Sequence, residues 1–262
     1  MKVLELRLSL IRNRLLAATL ALLPLPAIGA VIASTGTWDG ATSTGTFGEG
    51  STDTYGQTFL APATETVLES VRFWLDDRLN PGPVQFAAYV MQWSDPVGIL
   101  QAGHAVGPIL YASSAVASTN NGGQGGMEAF LFSTGGLELI AGQKYVAFLS
   151  SSLFWDGISG GAEVGTTAGS SYADGDLVIQ STGKEFNALI TGGGWNNLYD
   201  RDLAFGATFS AVPVPPAVWL FSSAVASFGW LRRRSTGPVD RDWRACRSRD
   251  GNGRRLHDGL QY

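Results

Sequence analysis

The strongest constraint on this chain is a two-residue hydrophobic period. Leu203, Phe205, Ala207 and Phe209 alternate with Ala204, Gly206 and Thr208, and Val71, Phe73 and Leu75 alternate with Arg72 and Trp74. Successive side chains of an extended strand point to opposite faces, so each run predicts a strand with one buried face. Val84, Phe86, Ala88 and Val90 alternate instead with Gln85, Ala87, Tyr89 and Met91, which makes that strand apolar on both faces. Tyr145 to Leu149 repeats the pattern, Phe130 and Phe132 flank Leu131, and Leu177–Ile179 is a short apolar run. No segment between the two ends holds a 3.6-residue period over ten residues. Turn chemistry separates the runs at Asn80-Pro81-Gly82-Pro83, Asn120-Asn121-Gly122-Gly123, Asp174-Gly175-Asp176 and Gly192-Gly193-Gly194. The predicted fold is all-β: a single antiparallel β-sandwich, jelly-roll-like. Gly36–Gly50 and Gly157–Ser171 read as long surface loops.

Charge divides the chain into three. Residues 34–212 carry five bases against 17 acids, a net −12, between a basic beginning and a basic end, and the whole chain sums to −4. Such an acidic middle argues against nucleic-acid binding, which needs clustered Lys and Arg on phosphates. The first 30 residues have the order of a secretory signal peptide. Lys2, Arg7, Arg12 and Arg14 precede the apolar run Leu15–Leu23, then Pro24 and Pro26, then small residues near Ala30. Signal peptidase is the implied partner.

Near the other end, Val212-Pro213-Val214-Pro215-Pro216 precedes the apolar Ala217–Leu231, and Arg232, Arg233 and Arg234 follow. The apolar run is short for a bilayer core of about 30 Å, and arginines of this kind stop on the cytoplasmic side. This order of parts resembles the PEP-CTERM sorting signal of Gram-negative bacteria that make extracellular polysaccharide. The resemblance implies a transient transmembrane helix in the membrane and an exosortase that recognises Val212, Pro213, Val214 and Pro215. Val214 stands where the family has an acidic residue. The chain also runs 28 residues past the arginines, a tail (235–262) read as disordered and Arg-rich. Tyr55-Gly56-Gln57-Thr58-Phe59, Gly107-Pro108-Ile109-Leu110-Tyr111 and Ala141-Gly142-Gln143-Lys144-Tyr145 further resemble surface β-sandwich ectodomains found upstream of such signals. The expected organisation is therefore signal peptide 1–30, ectodomain 31–211, sorting segment 212–234 and tail 235–262.

Candidate chemistry is sparse. The single cysteine, Cys246, lies in the tail, and the ectodomain has one histidine, His104, in an expected loop, with no G-x-S-x-G elbow. A serine triad would have to use His104, and a catalytic zinc site normally takes three protein ligands, often imidazoles, which this composition hardly supplies. Paired carboxylates are available at Asp76-Asp77 and at Asp174 and Asp176; a glycoside hydrolase needs two held roughly 5–9.5 Å apart across the bond, and nothing in the sequence singles out such a pair. Calcium is the possible cofactor, on Asp174 and Asp176 with Asn196, Asp200 and Asp202 as further oxygen donors. Trp155 and Trp195, in turn-like settings beside Asn196, are the expected ligand-binding aromatics. Trp74 and Trp93, on strands, read as packing residues. The expectation is a non-catalytic exported surface or matrix protein, not an enzyme, binding polysaccharide or serving adhesion. The alternative is an extracellular glycan-active enzyme using paired carboxylates.

Overall fold

The structure, a computed structural model, describes residues 29–78, 82–96, 103–191, 194–198 and 200–212, all in the unit that ends at Val212. Two antiparallel sheets pack face to face. In the first, β4 (Val67–Asp76) is central, with β8 (Glu128–Glu138) along one edge. Its other edge is shared by β13 (Phe205–Ser210) and β10 (Ala162–Gly165), which are extended by β1 (Val31–Ala33) and β2 (Ser43–Phe47). The second sheet runs in the order β12 (Asn196–Leu198), β11 (Leu177–Gln180), β3 (Thr54–Leu60), β9 (Lys144–Ser150), β5 (Gln85–Ser94), β6 (His104–Ala112), and β7 (Val116–Ala117) also pairs with β5.

The period-2 pattern explains the core. Leu68, Val71, Phe73 and Leu75 of β4 meet Phe205, Ala207 and Phe209 of β13 and the inward residues of the second sheet: Tyr55, Phe59, Phe86, Val90 and Leu149. Phe73 and Phe205 lie 5.4 Å apart between ring centroids, and Phe59 lies 5.9 Å from Phe205. Strands β5 and β9 are apolar on both faces because there are two cores. Ala87, Tyr89, Met91 and Trp93 of β5, with Val146 and Phe148 of β9, face away from the first sheet. They are covered by α1 (Phe186–Ile190), which buries Phe186 and Leu189, and by Trp195.

Two expected surface loops contain strands instead. β2 lies within Gly36–Gly50 and β10 within Gly157–Ser171, and the two pair with each other. Their glycines are packing requirements here: the hydroxyl of Tyr55 occupies the place of a Cβ at Gly45, whose φ is +58°. His104 opens β6 rather than sitting in a loop, because Ser94 pairs with it in register. Asn120 and Asn121 make a left-handed turn with φ near +50°, as the Asn-Gly run demands. Asn80, Pro81, Gly192 and Gly193 lie outside the described residues, as do residues 1–28 and 213–262 with the leader, the sorting helix and the tail. Among the described residues no helix is long and apolar enough to cross a membrane.

Candidate functional site

A groove of about 600 Å³ opens where four adjacent strands of the second sheet end or begin. Leu60 ends β3, Lys144 begins β9, Trp93-Ser94 ends β5 with Asp95 just past it, and Ala173-Asp174-Gly175-Asp176 leads into β11. Strand pairing fixes this gathering: Leu60 pairs with Lys144, Gln92 with Tyr145, and Leu177 with Gln57. The Asp174–Asp176 turn is locked to β3. Asp176 donates its amide to Thr58 Oγ1 (2.8 Å) and accepts from the Thr58 amide (3.0 Å). Gly175 is obligatory, since a Cβ there would overlap the carbonyl oxygen of Thr58.

The carboxylates of this groove have different environments. Asp95 is exposed. Its Oδ1 takes both the Lys144 ammonium at 2.7 Å and the buried indole N–H of Trp93 at 3.1 Å. Both donors use one oxygen, and among the described residues no hydrogen bond engages Oδ2. Asp176 is half-buried, and burial pushes its carboxyl above the ordinary range. Lys144 opposes that shift, while the charges of Asp202 and Asp95 add to it. Asp174 is exposed on the rim. Its charge and that of Asp202 help raise the neighbouring Tyr172 phenol, for which burial is the larger cause. A carboxyl raised by burial beside a second in an ion pair is the kind of unequal setting in which acid and base roles can separate.

The other expected site residues are dispersed. Trp195 is 1% exposed: its ring meets Trp93 at 5.8 Å and Phe148 at 5.3 Å, and its N–H reaches the Leu189 carbonyl. It is a core residue, which corrects the expectation of a stacking role. Trp155 is half-buried after a short 3-10 turn, with the Lys184 ammonium 6.0 Å from its ring centroid. Its indole nitrogen is buried and has no hydrogen-bond partner among the described residues. It lines a small recess with Glu49, Phe154 and Ile158. Asn196 is exposed on β12, at the edge of the second sheet. Asp202 is fully buried, and its carboxylate accepts from Gln57 Nε2 (2.9 Å) and from Ser171 and Tyr172 amides (2.6 and 2.8 Å). Its oxygens are engaged by these donors, which removes it from the calcium set. No group of three or more His, Cys, Asp or Glu among the described residues could hold a metal ion. Asp76 ends β4, where its carboxylate accepts the Arg78 amide, and Asp77, just past the strand, is buried. Val212 is exposed, and Pro213, Val214, Pro215 and Arg232–Arg234 lie outside the described residues.

Sequence reading missed Trp93, Asp95 and Lys144 as one site. Each sits in an ordinary context, and only the β3-β9-β5 strand order brings them to Asp176.

No protein-family model matches the chain, and no curated protein matches it. One solved structure that does match is described as the crystal structure of the cysteine protease and lectin-like domains of Cwp84, a surface layer associated protein of Clostridium difficile. Identity is 11% and the TM-score 0.37, over 61% of this chain and 32% of that one. The expectation of a non-catalytic protein is corrected at this point on the groove itself, which brings Asp95 and Asp176 together beside Lys144. Absence of a thiol or a triad also leaves carboxylate chemistry untouched, and the groove supplies the carboxylates. At this level of similarity the match transfers no activity, ligand or residue. This chain's one cysteine, Cys246, lies outside the described residues.

Proposed function

We propose that the chain is an exported glycan-active enzyme whose groove hydrolyses glycosidic bonds with Asp176 as proton donor. The observation that carries this reading is the unequal pair in the groove: Asp176 raised by burial beside Asp95 held in an ion pair with Lys144. Asp176 passes its proton to the glycosidic oxygen as the C–O bond breaks. Oδ2 of Asp95 accepts a proton from the water that attacks the anomeric carbon. The atoms balance as hydrolysis: one water is consumed and two hydroxyls are formed. Gln143, Ser94 and Asp174 supply hydrogen-bonding groups along the walls. The jelly-roll type of the sandwich belongs to the same reading, supported by pairing between strands remote in sequence, such as β4 with β13.

Export rests on the leader and on the PEP-CTERM-like segment. Signal peptidase would remove the first, and an exosortase would cleave near Pro213 and Pro215 before the domain reaches the envelope or matrix. The test of hydrolysis is a reducing-end assay of the full chain on a panel of extracellular polysaccharides. Asp176→Asn and Asp95→Asn should each lower turnover at least a hundredfold with the fold intact. Turnover unchanged in both variants, or absent on every glycan with the wild-type chain, refutes the assignment. For export, Pro213→Ala with Pro215→Ala should leave an uncleaved, membrane-held precursor, and normal processing would overturn it.

A further inference from the structure

The opposite side of the sandwich carries an aromatic pair that the groove does not use. On β4, Phe73 and Leu75 are buried, so Arg72 and Trp74 face outward from the first sheet. Trp38 lies against Trp74 at 5.5 Å between centroids, with the rings tilted by 58°. It is seated over Gly165 of β10, where any Cβ would strike its six-membered ring. Its indole N–H is bonded to the Thr42 carbonyl at 2.9 Å. The loop that carries it is tied by Asp39, whose carboxylate accepts from the Ala41 amide, the Thr42 amide and the Thr42 hydroxyl. The two indoles are therefore held in place before any ligand arrives.

The cation beside them shares with Lys184, which lies over Trp155, an aromatic ring as its neighbour in place of a carboxylate among the described residues. The acidic region has 17 acids for its five bases. Arg78, Lys144 and Arg201 each pair with a carboxylate, whereas Arg72 is exposed and pairs with none among the described residues. Its guanidinium lies 5.9 Å from the Trp74 ring centroid instead. A guanidinium beside an aromatic ring keeps N–H donors that a ligand on the same surface can use.

We infer that Trp38, Trp74 and Arg72 form a second carbohydrate-binding site, which takes the flat face of a neutral hexopyranose chain. The C–H face of the sugar lies on the indoles while Arg72 donates to its hydroxyls. Charge selects the neutral class: a domain at −12 repels acidic polysaccharides, and one arginine does not reverse that field. The site lies on the sheet opposite the groove, so it holds the chain on a polymer and takes no part in bond cleavage.

Binding of the full-length chain to neutral β-glucan oligosaccharides, read by isothermal titration and tryptophan fluorescence, tests this. Trp74→Ala should weaken affinity at least tenfold, and Arg72→Gln by about threefold to tenfold. Trp38→Ala serves as the second aromatic variant should Trp74→Ala unfold. Loss of binding in these variants with turnover of short oligosaccharides retained separates this site from hydrolysis in the groove. The inference is overturned if the folded Trp38, Trp74 and Arg72 variants bind unchanged. It is also overturned if uronic-acid oligosaccharides bind more tightly than neutral ones, or if the patch instead joins two copies of the chain in sedimentation.

Discussion

Replacing Asp202 with Asn should destabilise the sandwich by about 2–3 kcal/mol, although only one oxygen becomes an amide. Asp202 is 0% exposed, and its two oxygens divide the work. Oδ1 accepts from Gln57 Nε2, and Oδ2 accepts from the amides of Ser171 and Tyr172 and from the Ser171 hydroxyl at 3.2 Å. Gln57 cannot turn over to compensate, since its Oε1 already accepts the Leu203 amide at 2.8 Å. A side-chain amide introduced at this position and aimed at Gln57 sets two N–H donors against each other; aimed the other way, it opposes three. A buried donor left unpaired costs about 1–3 kcal/mol, and two such donors are partly offset by relief of a buried charge. In a domain of this size the melting point should fall by about 2–4 °C per kcal/mol. Adding Gln57→Glu restores the polarity. Its second oxygen receives the introduced amide, the first still accepts Leu203, and the charge is conserved. The double variant should recover about 1–2 kcal/mol in a double-mutant cycle followed by urea denaturation and tryptophan fluorescence. A loss below about 1 kcal/mol for Asp202→Asn, or a double variant no better than the single, would refute this account of the buried contact.

Other perturbations have outcomes set by the same geometry. Trp195→Ala empties a site in the outer core and should cost about 3–5 kcal/mol in denaturant midpoint without a specific effect on sugar binding. Gly175→Ala should displace the Asp174–Asp176 turn, seen as loss of both hydrolysis and the protection of the Thr58 amide from exchange, because the new Cβ meets the Thr58 carbonyl. Burial raises the carboxyls of Asp53 and Asp176 above 3.8, so between that value and the raised one the folded state binds the extra proton and stability falls as pH climbs. Asp176→Asn should accordingly raise the melting point at pH 7 and leave it unchanged at pH 3.5; a gain of equal size at both would contradict burial as the cause.

Local alternation revealed the strands that matter most to the core. The residues of β13 announce themselves, and the doubly apolar β5 announced a second buried face before anything showed what covers it. The cover was illegible for a physical reason: α1 is five residues long, too short to display a helical period, and Trp195 follows a glycine run that reads as an exposed turn. Strands β2 and β10 were hidden by Gly and Thr, which pack at an edge where larger side chains would collide with Tyr55 and Trp38. Asp174 and Asp176 were visible as carboxylates, but their setting was not. The pairing of Asp95 with Lys144 depends on strand order, which no short window of sequence contains.

The strand with two apolar faces also governs how this chain has to be made. β5 is complete at Ser94, but its neighbour β9 begins only at Lys144, and the layer over its outer side ends with Trp195. Until those later residues emerge, the segment Phe86–Trp93 lacks its edge partner β9 and the cover over its outer face. On the proposed export route the polypeptide crosses its membrane as an extended thread, so the exposure lasts throughout transit. Synthesis of this protein therefore calls for a holdase on that stretch, and shortening the chain before residue 195 should yield aggregates rather than a smaller domain.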